Sequence, residues 1–273
     1  MIPKIIHQTW RSDKLPTIFQ KIFDHNKSLN PGFEFKLWSH SPGRPDIDIF
    51  IEKEYPDIYE IYKKTKYGVQ KADIARLTIL HYYGGIYFDL DMMCLKDISD
   101  LVDMDSDIAY FSMEPKEQTM SVFKKENVLC NAFIVVPAKH RIMDQAIKEI
   151  KSAYEKNGDN IFSIFNCFGS DIVARSCMAT QEHIESCKFV KRDLVYPICD
   201  PKLSTLPNSE RDISMLKKGE YGNAYMVHYW IHSDFESKEK IDKFTYDDKC
   251  SIHENIYKFF KELYPDHKYL LKF

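Results

Sequence analysis

The sequence predicts an α/β domain, and three observations carry that prediction. Short apolar runs (2–6, 107–111 and 128–136) alternate along the chain with stretches whose apolar residues recur every three or four positions. One of those stretches, 69–83, runs through Gly84-Gly85 straight into Ile86-Tyr87-Phe88. The chain has 273 residues, 44% hydrophobic and 29% charged, which suits one large soluble globular domain.

The elements follow in order. Ile2, Ile5 and Ile6 read as a buried strand, left by His7-Gln8-Thr9-Trp10. Residues 13–30 read as a helix after Pro16, stopped at Asn30-Pro31-Gly32. Phe33-Glu34-Phe35-Lys36-Leu37-Trp38 alternates apolar and polar, as a half-buried strand does. Residues 39–45 hold Ser, Pro, Gly and Arg and form a loop. Residues 46–66 give one or two short helices broken at Pro56, and Lys63, Lys64 and Lys66 form a solvated face or attract a diphosphate. In residues 69–83, Ala72, Ala75, Ile79 and Tyr83 share a helix face. Gly84-Gly85 ends that helix, as glycine does where the chain turns left-handed, and Ile86-Tyr87-Phe88 is a strand.

Met93 and Leu95 read as core. Residues 107–111 are a further strand, 113–127 a polar loop at the site mouth, and 128–136 a buried strand closed by Pro137. Residues 140–156 form an amphipathic packing helix, and a helix spans 172–179, with Ser170 or Asp171 at its start. Residues 188–195 and 196–199 read as short strands, 200–222 as a long loop, 224–230 as the last strand and 251–264 as a closing helix.

Chemistry concentrates at 73–91. Residues two apart in an extended chain point the same way, so Asp89 and Asp91 are expected to converge. Two carboxylates held together call for a cation, and an all-oxygen set suits Mg²⁺ or Mn²⁺. Asp73 and Arg76 lie three apart on one helix face, either as a solvated ion pair or as part of the same site. A lone Asp-x-Asp is common in surface turns. The informative feature is the ordered block of apolar helix, Gly-Gly stop, apolar strand and paired acids.

Lys71-Ala72-Asp73-Ile74-Ala75-Arg76 followed by Tyr83-Gly84-Gly85-Ile86-Tyr87-Phe88-Asp89-Leu90-Asp91 resembles the sugar-binding region of DXD glycosyltransferases, with glycosyltransferase family 32 the nearest match. Ile2 to Trp10 resembles that family's opening motif, and Phe33 to Trp38 its second strand. The resemblance implies a GT-A type fold, a Rossmann-like α/β/α sandwich around a central mixed, mostly parallel sheet. It implies a nucleotide-binding half at about 1–100 and an acceptor-side half at about 101–273.

It also implies metal-dependent, retaining transfer of a hexose from a UDP-sugar or GDP-mannose to a glycan or other hydroxyl acceptor, with Mn²⁺ or Mg²⁺. Asp91, with Asp89, would hold the ion; Arg76 and Asp73 would bind the phosphates and sugar. Trp10, His7 and Tyr87 would line the base and ribose pocket. Asn131 would serve sugar hydroxyls or bond to backbone, and His228, in a His-aromatic-Trp element, would approach the metal, with His232 as fallback. Asp171 is an N-cap or an acceptor contact. Two family elements are altered: Thr-Gly-Pro reads Phe168-Gly169-Ser170 here, and Ser233 is followed by Asp234-Phe235 rather than Trp.

Composition excludes several classes. A net charge of −3 leaves no basic footprint for nucleic acid. No run of 18 apolar residues offers an integral membrane segment. The opening residues lack a signal-peptide pattern, and 7 cysteines without a C-x-x-C pair favour reduced thiols, so a cytoplasmic setting is expected. Two rivals stand beside the transferase: a non-catalytic sugar-nucleotide binder, and an Asp-x-Asp phosphohydrolase, which the Met92-Met93 after the pair disfavours.

Overall fold

Residues 1–40, 45–158, 168–232 and 238–272 are described in a computed structural model. Strand β1 (Ile5–Thr9) is flanked by β2 (Glu34–Trp38) and β3 (Gly85–Phe88), both parallel to it, in a six-stranded sheet. Beyond β3 come β6 (Leu129–Val136), β5 (Ala109–Met113) and β7 (Cys187–Val190), giving the order β2-β1-β3-β6-β5-β7. Strand β6 is antiparallel to both neighbours, while β7 runs parallel to β5. Five strands therefore point one way and β6 the other: the sheet is mixed and mostly parallel, as expected.

Side-chain alternation along β6 shows how two faces are buried. Ile134 and Val136 pack with helix α4 (Gly68–Tyr83) and helix α6 (Arg141–Asn157), while Phe133 and Val135 join a cluster on the opposite face. That second face is covered by a small antiparallel sheet of β4 (Met92–Cys94) and β8 (Met226–His228). Helices α1 (Thr17–Leu29), α10 (Ser209–Lys218) and α12 (Ile252–Leu263) form a third core with Leu37, Met93 and Val227.

The joint between α4 and β3 is tight. Gly84 caps the helix at φ 64° and Gly85 enters the strand at φ 98°. A Cβ on Gly84 would overlap the backbone of Pro137–Ala138, and one on Gly85 would lie 2.5 Å from the Ile5 carbonyl oxygen. The Gly-Gly pair thus lets the helix that carries Asp73 and Arg76 hand over directly to the strand that carries Asp89.

Several expectations are corrected. Strand β1 starts at Ile5 rather than Ile2, though Ile2 remains buried. Residues 116–122 form helix α5 (Lys116–Val122) rather than loop, because Pro115 starts a turn that buries Gln118 and Thr119. The expected strand at 188–195 is β7 followed by α9 (Arg192–Val195), and 196–199 is not a strand. The expected loop at 200–222 contains α10, whose Ile213 and Leu216 face the core at helical spacing. The last strand keeps only its central three residues, because Trp230 and His232 adopt φ 55° and 52°, which bends the chain out of the ladder. Ser233 and Asp234-Phe235, residues 165–167 of the altered Thr-Gly-Pro region and most of the 39–45 loop lie outside the described residues.

Candidate active site

The site forms at one edge of the main sheet. Strands β1, β3 and β5 end there, and antiparallel β6 begins there, so Trp10, Asp89, Glu114 and Asn131 meet despite their separation in sequence. They line a cavity of about 310 Å³ together with Arg76, Tyr87, Asp91, Ser170, His228, Trp230 and His232.

Asp89 and Asp91 converge, though not by strand alternation. The strand ends at Phe88, and the chain turns through Leu90, with the Met92 N–H donating to the Asp89 carbonyl at 3.0 Å. The pairing of Met92 with His228 then delivers the imidazole. One ligand atom from each of Asp89, Asp91 and His228 lies within 4.8 Å of the others.

Each carboxylate has its own support. Arg76, buried on α4, donates to the Asn131 carbonyl at 2.6 Å, pairs with Asp89 Oδ1 at 3.1 Å, and approaches Asp73 at 3.5 Å. Its guanidinium lies 4.6 Å from the Tyr87 ring centroid. The Tyr87 hydroxyl donates to Asp89 Oδ1 at 3.1 Å and meets Thr9 Oγ1 at 2.9 Å. Asp91 accepts from the Ile231 N–H at 2.8 Å, and its other oxygen lies 3.2 Å from His228 Nε2. The positive φ of Trp230 turns the following N–H toward Asp91.

Protonation follows from these partners. Burial raises the Asp89 carboxyl, against the pull of Arg76 and with a push from Asp91. Burial acts upward on Asp91 too, but His228 and the Ile231 N–H override it and hold Asp91 below the ordinary range. Burial opposes the charge on His228, and Asp91 overrides that, raising it. Arg76 stays cationic: burial acts against the charge, and Asp89, Tyr87 and Asp73 outweigh it.

The residues expected from sequence divide into two groups. Trp10, Arg76, Tyr87, Asp89, Asp91, Asn131, His228 and His232 all line the cavity. Asp73 is buried just behind it and accepts from Asn131 Nδ2 at 2.9 Å. That bond orients the amide, and Ser170 Oγ donates to its oxygen at 3.3 Å.

Two residues are placed elsewhere. His7 is fully buried behind β1, its Nδ1 accepting from Trp38 Nε1 at 3.1 Å and its Nε2 bonded to the Gly84 carbonyl at 3.0 Å. It braces the Gly-Gly joint, because it lies mid-strand, short of the strand end where Thr9 and Trp10 meet the cavity. Asp171 is exposed and faces Arg175 at 3.8 Å. Gly169 holds the cap position of helix α7 (Ser170–Cys177), so Asp171 is neither its N-cap nor part of the cavity wall.

Glu114 was missed because the polar run 113–127 reads as loop. Burial pushes its carboxyl up to about 7, with Gln118 opposing. The only signal available for it was a carboxylate directly after an apolar strand, at the end where ligands bind.

The donor set fits a divalent cation. Two carboxylates and an imidazole offer hard oxygen and nitrogen ligands, and His228 Nδ1 is buried without a hydrogen-bond partner among the described residues. Two adjacent acids, with the His228 Nε2 3.2 Å from one of them, are the groups a cation would satisfy.

Part of the chain is similar to known proteins. Residues 16–109 match the family described as glycosyltransferase sugar-binding region containing DXD motif. The chain is 38% identical over 104 residues to inositol phosphoceramide mannosyltransferase 3 of Schizosaccharomyces pombe, a match covering 37% of this chain and 27% of that protein. It is 38% identical over 104 residues to the uncharacterized glycosyltransferase L373 of Acanthamoeba polyphaga mimivirus, covering 37% of this chain and 40% of that one. The matched stretch thus spans well under half the length of these curated relatives. Among solved structures, galactosyltransferase LgtC bound to donor and acceptor sugar analogs aligns with a TM-score of 0.48 at 11% identity, covering 93% of this chain and 94% of that one. Over residues 16–109, which hold Asp73, Arg76, Tyr87, Asp89 and Asp91, the chain therefore carries the glycosyltransferase sugar-binding region with its DXD motif.

Proposed function

We propose that this protein is a glycosyltransferase that moves a hexose from a nucleoside-diphosphate sugar to a hydroxyl acceptor, with a divalent cation, Mn²⁺ or Mg²⁺, at Asp89, Asp91 and His228. The observation that carries the reading is the convergence of those three side chains on the cavity wall, with the Arg76 cation behind Asp89. The named mannosyltransferase among its relatives favours mannose as the transferred sugar, and hence GDP-mannose over a UDP-sugar.

A bound cation would neutralise the charge that develops on the leaving diphosphate. The chain's own residues supply the rest. Arg76 holds a fixed positive charge beside that position, already desolvated and oriented by Asp89, Asp73 and the Asn131 carbonyl. Asn131, oriented by Asp73 and Ser170, presents an amide to sugar hydroxyls. Trp10 and Tyr87 offer aromatic surface for the base and ribose. Retention of configuration belongs to the same reading, by attack on the face from which the diphosphate leaves.

The test is release of GDP or UDP from a panel of sugar nucleotides, with Mn²⁺ and with EDTA. Metal-dependent release from one donor is expected. Asp91→Asn is expected to lower it at least about 100-fold, since an amide is a weaker metal ligand and still permits the Ile231 hydrogen bond. Near-normal turnover in that variant would sink the assignment. Donor binding with no release would leave a sugar-nucleotide binding protein instead.

A further inference from the structure

The transferase reading accounts for the donor side of the cavity and leaves Glu114 without a role. Resting on that reading, we infer that Glu114 binds the acceptor: its free carboxylate oxygen accepts a hydrogen bond from the hydroxyl that attacks the donor sugar.

Glu114 follows β5 directly, and β6 alone separates β5 from β3, which leads to Asp89. Two strand spacings put the ends of β3 and β5 about 10 Å apart, which leaves room for a sugar between them. Asn131, at the start of β6, lies over that gap. Diphosphate at β3, hexose over β6 and acceptor hydroxyl at β5 would then occupy successive strand ends along one cavity.

Glu114 is also held in place. Its N–H donates to the Val128 carbonyl at 2.9 Å, and its carbonyl accepts from Arg192 Nη1 at 3.0 Å, so the backbone is fixed on both sides. One carboxylate oxygen, Oε2, accepts from Gln118 Nε2 at 3.1 Å. Gln118 is itself buried and accepts from the Asp200 N–H at 2.8 Å, and Asp200 pairs with His232 at 2.7 Å. This chain of polar groups begins and ends on the cavity wall, since both Glu114 and His232 line it.

Among the described residues, Glu114 Oε1 accepts no hydrogen bond. A carboxylate largely withdrawn from water, with one oxygen clamped and the other without a partner beside the cavity, is arranged to take a donor from a ligand. The donor's phosphates offer only acceptor oxygens, and its sugar hydroxyls are served by Asn131 in this reading. The attacking hydroxyl offers the O–H that this oxygen requires.

The experiment uses water as the smallest hydroxyl acceptor, so it needs no knowledge of the natural one. Hydrolysis of the donor that the wild type cleaves is measured with Mn²⁺ for wild type, Glu114→Gln and Glu114→Ala, and binding of the same donor is measured by calorimetry. Hydrolysis is expected to fall at least about 10-fold in both variants, with the donor Kd within about threefold of wild type. Unchanged hydrolysis overturns the inference. So does a parallel loss of donor binding, which would make Glu114 a donor-side or structural residue. A wild type that cleaves no donor overturns the transferase reading itself, and the acceptor role with it.

Discussion

The joint between α4 and β3 gives a prediction whose magnitude can be separated into two parts. Gly84 has φ 64°, and a Cβ there would overlap the Ala138 nitrogen and lie 2.8 Å from the Pro137 carbonyl carbon and 2.9 Å from Ala138 Cα. All three are backbone atoms and cannot rotate away. Gly158 has φ 52° with nothing within 4 Å of an added methyl, and Gly32 has open space and no left-handed φ. Gly84→Ala therefore incurs a conformational cost of about 1 kcal/mol plus an overpacking cost of about 1–3 kcal/mol. Gly158→Ala incurs only the first, about 1 kcal/mol, and Gly32→Ala is neutral or stabilising by a few tenths.

Urea unfolding of the three variants measures the differences directly. Because the overlap pushes β3 away from Pro137–Ala138, Gly84→Ala should also lower nucleoside-diphosphate release beyond any loss of folded protein. Gly84→Ala no more destabilising than Gly158→Ala would refute the close backbone approach, and with it the placement of Asp89 by that joint.

Two further predictions concern the buried ionisable groups. Burial lowers His7 from 6.5 to about 4, so the folded state holds it neutral, accepting from Trp38 and donating to the Gly84 carbonyl. The stability from this group is complete above 6.5 and lost as pH falls toward 4, on the order of 3 kcal/mol; urea midpoints at pH 6.5 and 4 for wild type and His7→Asn check it, with the smaller pH dependence expected in the variant. Arg76→Met leaves Asp73 and Asp89 without their buried cation, at a cost of about 3–5 kcal/mol. Saturating Mn²⁺ should restore part of that loss by binding the folded state, and a loss identical with and without Mn²⁺ counts against a cation at Asp89.

Helix α4, the Gly-Gly stop and β3 were read within a residue of their ends, because periodicity and glycine punctuation are local properties. The pairing of Asp73 with Arg76 followed from helical spacing alone. Helix α10 was not legible, because Pro, Lys and Gly around it mask a short apolar face that only the α12 packing makes decisive. Glu114 was invisible for the same kind of reason: its importance comes from what lies opposite, not from its neighbours in sequence.

By itself the sequence determined the local grammar of this protein: the α/β alternation, the donor-side block from Asp73 to Asp91, and the family it resembles. Tertiary structure decided which distant residues complete that block. The reversal of β6 brings Asn131 to the same edge as Asp89, and the β4–β8 pairing sets His228 beside Asp91. His7 lies in the middle of β1, short of the strand end where Thr9 and Trp10 meet the cavity. Each of these follows from strand order and direction, which are set by packing between elements far apart along the chain, and no local pattern of residues records them.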